Sequence, residues 1–195
     1  MNNKSVTQNT PATIKIENSK NVLVIGIGFI GLMFIEVLKN YNLNIIGCDI
    51  NEERVSLAKN FGATLTFNTS DIKESLNFIL NNTESIGADV VILASGSTKS
   101  IDLSTALVRD GGKILVFASI PDENKGFINN SIYYRELSVI GGYSSAPEYL
   151  NSAMNLLRCD NIKVDKLCNI MRMDELSEAV EQIITQKVMK VYLKI

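Results

Sequence analysis

Residues Asn21 to Asp49, NVLVIGIGFIGLMFIEVLKNYNLNIIGCD, constrain this chain more than any other stretch. Asn21–Ile25 is a run of Val, Leu and Ile suited to a parallel strand buried on both faces. It enters Gly26-Ile27-Gly28-Phe29-Ile30-Gly31, a GxGxxG pattern, and then an apolar helix reaching about Asn40. A second strand, Asn44–Cys48, ends at Asp49, 18 residues beyond Gly31, near where dinucleotide-binding folds place an acid for the ribose. Each part has a task. Gly26 permits the turn out of the strand, Gly28 lets the backbone approach a pyrophosphate, and Gly31 lets helix and strand pack closely. The helix N-terminus offers unpaired N–H groups and a positive dipole end to phosphates. GxGxxG alone is weak evidence; strand, loop, helix, strand and acid in register are much more specific.

The same alternation continues. Asn51 is placed to cap a helix from about Glu52 to Phe61, with Gly62 as its stop, and Thr64–Phe67 reads as a third strand. Ser70-Asp71-Ile72-Lys73-Glu74 opens a helix whose stripe is Ile72, Leu76, Ile79 and Leu80. Asp89–Ala94 is a fourth strand, broken at Ser95-Gly96-Ser97, and Ser100–Arg109 a helix. Asp110-Gly111-Gly112 reads as a turn, Lys113–Phe117 as a fifth strand, and Leu137–Ile140 as a sixth ending at Gly141-Gly142. Gly126–Tyr134 is ambiguous between helix and loop. Strands alternating with helices over this length predict an α/β fold with a doubly wound parallel sheet over residues 21–143.

Residues 144–195 change character and predict a helix-strand appendage. Ser145-Ala146-Pro147-Glu148 fits a capping box with proline in the first turn, followed by Leu150, Ala153, Met154 and Leu157 at helical spacing. Leu167–Arg172 could be a strand. Asp174 is placed to cap a helix with the stripe Leu176, Ala179, Val180, Ile183 and Ile184. Val191, Leu193 and Ile195 alternate with Lys190, Tyr192 and Lys194 in a closing half-buried strand. Residues 1–20 read as a polar tail with a short strand at Ala12–Glu17, and Thr13–Ile16 could pair with Val191–Ile195.

Zero histidines is the composition's most informative value, because it removes the commonest general acid/base and the commonest zinc ligand together. Nineteen basic against 21 acidic residues give a net charge of -2, so no global field favours nucleic acid. No apolar run approaches membrane-spanning length, and the N-terminus lacks a signal-peptide core. Cys48, Cys159 and Cys168 form no CxxC, and reduced thiols in a cytoplasmic setting are the plain reading. Small buried or partly exposed thiols are favoured over a metal site.

From Asn21 onward the chain resembles the cofactor-binding half of the medium-chain, zinc-dependent alcohol and polyol dehydrogenases. The matching blocks are VLVIGIGFIGL, CDINEERVSLAKNFGA, GADVVILASGS, GGKILVFASIP and ELSVIGGYSS, and similarity continues through LSEAVEQI to KVYLKI. The resemblance implies a Rossmann fold with pyrophosphate contacts at Gly28, Phe29 and Ile30. It implies the adenosine ribose on Asp49, with Ile50 and Arg54 on the adenine side. Ser95 and Gly96 would lie near the nicotinamide ribose, and Ala118, Ser119, Ile120 and Gly142 would face the nicotinamide. Asp49 favours NAD, since a 2′-phosphate would meet a like charge with no compensating Arg in the loop. Arg54 is equally readable as a solvated first-turn residue, and Ser95-Gly96 as a plain turn.

In that family a separate N-terminal domain carries the catalytic zinc and most of the substrate pocket. Residues 1–20 hold no such ligand set, so no catalytic or metal residue is assigned and truncation or a second chain is expected. Residues 144–195 would then be a remnant of the catalytic-domain portion. Rival families fit less well. None of the six tyrosines begins the YxxxK of short-chain dehydrogenases, and hydroxy-acid dehydrogenases generally need a His. Methyltransferases using S-adenosylmethionine have a different Gly pattern. Nucleotide-sensing domains of potassium transport systems usually carry V-x-G-D-A where this chain has Thr66-Phe67-Asn68-Thr69-Ser70.

Two functions remain open at this point. One is the NAD(H)-binding part of such a dehydrogenase, inactive alone; the other is a free-standing NAD(H)-binding sensor or regulatory module. The first predicts an exposed apolar face involving Leu176, Ile183, Val191 and Leu193, covered by a partner chain or a second copy. The resemblance also suggests edge-to-edge dimers through the region of Asn130–Tyr134 or the sixth strand.

Overall fold

The computed structural model describes residues 16, 18–120, 130–143, 147–159 and 162–195. Six strands form one parallel sheet: β1 (Asn21–Ile25), β2 (Asn44–Asp49), β3 (Leu65–Asn68), β4 (Ala88–Leu93), β5 (Val108–Val116) and β6 (Ser138–Gly141). Their order across the sheet is β3-β2-β1-β4-β5-β6. Both central strands are buried along their whole length, because α1 (Phe29–Leu38) and its neighbours cover one face and α3 (Ile72–Asn82) and α4 (Thr98–Leu107) the other. Accordingly the core divides in two: Val22, Val24, Leu32 and Ile35 on one side, Leu23, Ile25, Ile79 and Leu107 on the other. The expected doubly wound sheet is present.

Local signals set most boundaries. Asn51 caps α2 (Glu52–Asn60) by accepting from the Glu53 and Arg54 N–H groups at 2.9 and 3.2 Å. Asp71 does the same for α3 with Lys73 and Glu74. Ile72, expected in the apolar stripe of α3, is half exposed, while Ile79 is fully buried. Position Ile72 lies on the first turn, beyond the reach of the sheet.

The expected turn at Asp110-Gly111-Gly112 lies instead inside β5, which begins at Val108. Val108 pairs with Ala88 and Lys113 with Val90, so residues 109–112 bulge out of the ladder. The bulge brings Arg109 Nε within 2.6 Å of Asp89 on β4. Asp89 also accepts from the Lys20 and Asn21 N–H groups at 2.9 and 2.8 Å, tying the start of β1 to β4 and β5. Arg135 closes the same end, donating to the Thr105 and Val108 carbonyls.

The C-terminal portion contains α5 (Asn130–Tyr134) before β6, then α6 (Pro147–Arg158), a 3₁₀ turn at Val164–Leu167, β7 (Cys168–Arg172), α7 (Leu176–Ile184) and β8 (Lys190–Lys194). Pro147 opens α6 as expected, whereas Ser145 and Ala146 of the proposed capping box lie outside the described residues, as do Gly126–Asn129. Asp174 does not cap α7. It sits in a second 3₁₀ turn and is forked onto Arg172, with Oδ1 and Oδ2 at 2.9 and 3.1 Å from the guanidinium. The stronger charge partner takes the carboxylate away from the helix end.

β8 pairs in parallel with β7. Of the expected N-terminal partner strand, residues 13–15 lie outside the described residues; Ile16 is buried in the core and belongs to no strand. Leu167 and Met189 pack into the core beside α1 and α2, and buried Glu36 on α1 accepts from the Lys163 N–H and from Lys39. These contacts hold the C-terminal unit to the sheet.

Burial would raise the Asp89 pKa, but the Asn21 N–H, Arg109 and Lys20 N–H outweigh it and hold the carboxyl below its ordinary value. A depressed native pKa stabilises the fold above the unfolded-state pKa near 3.8, and that stability disappears as pH falls through the native value. Asp89→Asn is expected to cost about 2–3 kcal/mol at pH 7 and to flatten the stability profile below about pH 4. Urea melts of both proteins between pH 2.5 and 7 check it; parallel profiles would refute the role.

Candidate functional site

The carboxyl ends of β1, β2, β4, β5 and β6 open on one rim of the sheet, and the strand order reverses between β1 and β4, where such folds place ligands. The candidate loop residues lie on this rim, and Arg54 stands next to it on α2. The loop Gly26–Phe29 leaves β1, Asp49 and Ile50 end β2, Ser95 and Gly96 follow β4, and Ala118–Ile120 follow β5. Backbone bonds fix the loops relative to one another: Gly26 N–H to Cys48 O at 2.9 Å, Ala94 N–H to Ile25 O at 2.9 Å, and Ala118 N–H to Leu93 O at 3.1 Å. Gly142 N–H donates to Val116 O at 3.1 Å, completing the rim.

The glycines differ in what they permit. A Cβ on Gly31 would lie 2.0 Å from the Gly26 carbonyl oxygen, and one on Gly26, at φ 91°, would lie 2.7 Å from Ser95 Cβ. A Cβ on Gly96 would lie 1.9 Å from the Ser119 carbonyl oxygen. These three are demanded by the chain's own packing. A Cβ on Gly28 would meet nothing within 4 Å. Gly28 therefore lines an open cradle at the N-terminus of α1, where it is the N-cap without a side chain and no acidic residue occupies the first turn. Unpaired N–H groups and a positive dipole end face that cradle.

Asp49 stands beside it, buried to 7% exposure. Its Oδ2 accepts from the Ile27 N–H at 2.7 Å and its Oδ1 from the Asn51 N–H at 3.0 Å. The carboxylate thus braces the Gly loop while each oxygen keeps a further lone pair for an outside hydroxyl. Ile50 is 76% exposed beside it, an apolar platform at the rim. Arg54, on the first turn of α2 rather than in the loop, places Nη1 3.9 Å from Asp49 Oδ2 and donates from Nη2 to Gln186 Oε1 at 3.2 Å. A compensating cation does therefore sit near Asp49, and Arg54 is not a freely solvated side chain. Ile30 is half exposed; Phe29 packs against the core.

Two features escape a reading of the sequence. Lys190 on β8 carries its ammonium 5.8 Å from the centre of the Phe29 ring, setting a cation next to the Gly loop. Nothing in the local pattern relates two residues so far apart in the chain. Ser100 hydroxyl donates to the Ser95 carbonyl at 2.9 Å and forms a capping box with Ser97, so the Ser95-Gly96 loop is held by the start of α4. The SGSTKS spacing carried that signal, three residues earlier than the expected helix start.

Donors for a metal ion are scattered. The sequence has no His. Cys48 is buried in β2, its thiol pushed well up by burial and then by the Asp49 charge; Cys159 is exposed and Cys168 half-buried. Among the described residues no three His, Cys, Asp or Glu side chains gather. This donor set does not fit a catalytic zinc. Nor, among the described residues, is any helix long and apolar enough to cross a membrane.

Residues 30–158 match the model of a protein family described as zinc-binding dehydrogenase. A D-arabitol-phosphate dehydrogenase from Enterococcus avium is 28% identical over 155 residues, which are 78% of this chain and 44% of that protein. A probable D-xylulose reductase A from Emericella nidulans is 29% identical over 176 residues, 88% of this chain and 49% of that one. The chain spans about half the length of the curated relatives it matches. Among solved structures, an alcohol dehydrogenase from Thermus sp. ATN1 superposes with a TM-score of 0.81 at 24% identity over 91% of this chain and 51% of that one. An alcohol dehydrogenase from E. coli CFT073, solved with NADH, gives 0.78 at 25% identity over 91% and 52%.

The glycine geometry separates folding from binding. Gly31→Ala is expected to destabilise the chain by about 3 kcal/mol or more, since backbone must move. Gly28→Ala should stay within about 0.5 kcal/mol of the parent while weakening dinucleotide binding. Thermal melts beside cofactor titrations read both; a Gly28→Ala protein that binds normally would remove the cradle.

Proposed function

This chain belongs to the zinc-binding dehydrogenase family, and from that premise we propose that it is the NAD(H)-binding half of an oxidoreductase that interconverts an alcohol or polyol and its carbonyl compound. The observation that carries the proposal is the cradle at Gly28, left empty by the chain's own atoms between the α1 N-terminus and the Asp49 carboxylate. In this reading residues 21–143 form the cofactor unit, and 144–195 dock it to the part that handles substrate.

The α1 N-terminus, with Gly28, Phe29 and Ile30, takes the pyrophosphate, and Lys190 adds a positive charge at the same place. Asp49 accepts from the adenosine ribose hydroxyls with the lone pairs that Ile27 and Asn51 leave free. Ile50 and Arg54 flank the adenine side. Ser95, Gly96, Ala118, Ser119, Ile120 and Gly142 border the nicotinamide end. The bound cofactor supplies the hydride; this chain orients it. A group to polarise the substrate carbonyl is not assigned to the described residues, whose donors do not fit a zinc ion. Arg54 offsets part of the Asp49 charge, and the carboxylate remains a like charge for a 2′-phosphate, which supports NAD over NADP.

Exposed apolar stripes on α6 and α7 support the dehydrogenase reading over a free-standing sensor. Leu150, Met154 and Leu157 on α6, and Leu176, Val180, Ile183 and Ile184 on α7, are each more than 40% exposed. Of the four residues expected there, Leu176 and Ile183 are open, whereas Val191 and Leu193 are half-buried. Open apolar stripes on two helices support a covering partner chain or second copy.

NADH is expected to bind saturably and more tightly than NADPH, followed by cofactor fluorescence. Asp49→Asn should weaken NADH by about tenfold and narrow its lead over NADPH, as befits the loss of a charge-assisted hydrogen bond. Equal binding of the two cofactors by the parent chain, or no binding of either, would overturn the assignment.

A further inference from the structure

A cavity of about 270 Å³ lies outside the rim, between the first turns of α2 and the β7–α7–β8 unit. Its walls carry three cations, Arg54, Lys166 and Lys187, against one acid, Glu53. Among the described residues neither Lys166 nor Lys187 has an ion-pair partner. Two amides that line it have their oxygens committed elsewhere. Asn51 Oδ1 accepts from the Glu53 and Arg54 N–H groups, and Gln186 Oε1 accepts from Arg54. What Asn51 and Gln186 can offer the cavity is their NH₂ donors. Leu57, Leu167, Val188 and Met189 supply apolar walls.

Ammonium, guanidinium and amide N–H groups set beside these apolar walls suit a compact ligand that accepts hydrogen bonds and carries more than one negative charge. The volume falls just below the roughly 300–1,000 Å³ of pockets for larger organic ligands. We propose that this cavity is a second anion site, for inorganic phosphate or the phosphate of a small phosphomonoester, separate from the pyrophosphate cradle. It does not depend on the cofactor reading. Arg54 belongs to both neighbourhoods, so an anion here draws the guanidinium toward Gln186 and away from Asp49. An occupied site thus links the C-terminal unit to the adenosine end.

The test titrates the full chain with sodium phosphate against sodium chloride of matched ionic strength, following backbone amide shifts by NMR. Saturable shifts centred on Asn51, Gln186 and Lys187 are expected, persisting with NADH bound. The double variant Lys166→Ala, Lys187→Ala, altered only at exposed side chains, should keep the parent's spectral dispersion and lose phosphate affinity by about tenfold or more. Linear shifts without saturation, shifts confined to Gly28–Gly31 that NADH abolishes, or unchanged affinity in the folded double variant would each overturn the proposal. Failure of NADH to bind, with phosphate still mapping to Gln186 and Lys187, would remove the cofactor reading and leave this one. Adding glucose 6-phosphate in parallel tells a free phosphate from a phosphomonoester.

Discussion

The approach of α1 to β1 governs this structure. A methyl group at position 31 would stand 2.0 Å from the Gly26 carbonyl, closer than any contact allows, so the helix can start where it does only if residue 31 has no side chain. That start fixes where the helix N-terminus points, and hence where an anion can be held. Asp49 secures the arrangement from the side by taking the Ile27 N–H into a buried carboxylate. The neighbouring loops repeat the theme at Gly96, pressed against Ser119. Close backbone packing presses Gly26, Gly31 and Gly96 against their neighbours and leaves the space at Gly28 open, and the proposed site rests on that difference.

In its proposed role Asp49, at 7% exposure, would meet two demands, bracing a loop and recognising a ligand. Both are met by the same geometry, since each oxygen has two lone pairs and the backbone uses only one. Replacing the acid therefore alters the loop as well as the ligand contact. Arg54 adds a third party by reaching toward Asp49 on one side and Gln186 on the other. Through that side chain the C-terminal unit reaches the Asp49 end of the rim, although Gln186 is 132 residues from Arg54.

Among the described residues the C-terminal unit meets the rest through Leu167 and Met189 in the core, the Lys163 N–H on buried Glu36, Gln186 on Arg54 and Lys190 over Phe29. Its two helices keep apolar stripes in the open. Such surface is unfavourable in water, and it is the open side that the proposed covering chain would bury.

The sequence by itself determined the alternation of strands and helices, the Gly loop, the acid at the end of β2 and the helix caps at Asn51 and Asp71, because each is a local pattern of periodicity, glycine or capping chemistry. It also carried the family resemblance, through the order and spacing of its blocks. Tertiary structure decided the rest. Asp174 looked like a cap, and a neighbouring Arg172 took it; Asp110-Gly111-Gly112 looked like a turn, and pairing with β4 absorbed it as a bulge. Lys190 beside Phe29, Arg54 bridging Asp49 and Gln186, and the cation-lined cavity all join residues far apart in the chain. No local pattern encodes such pairs, since they exist only once the C-terminal unit has packed against α1 and α2.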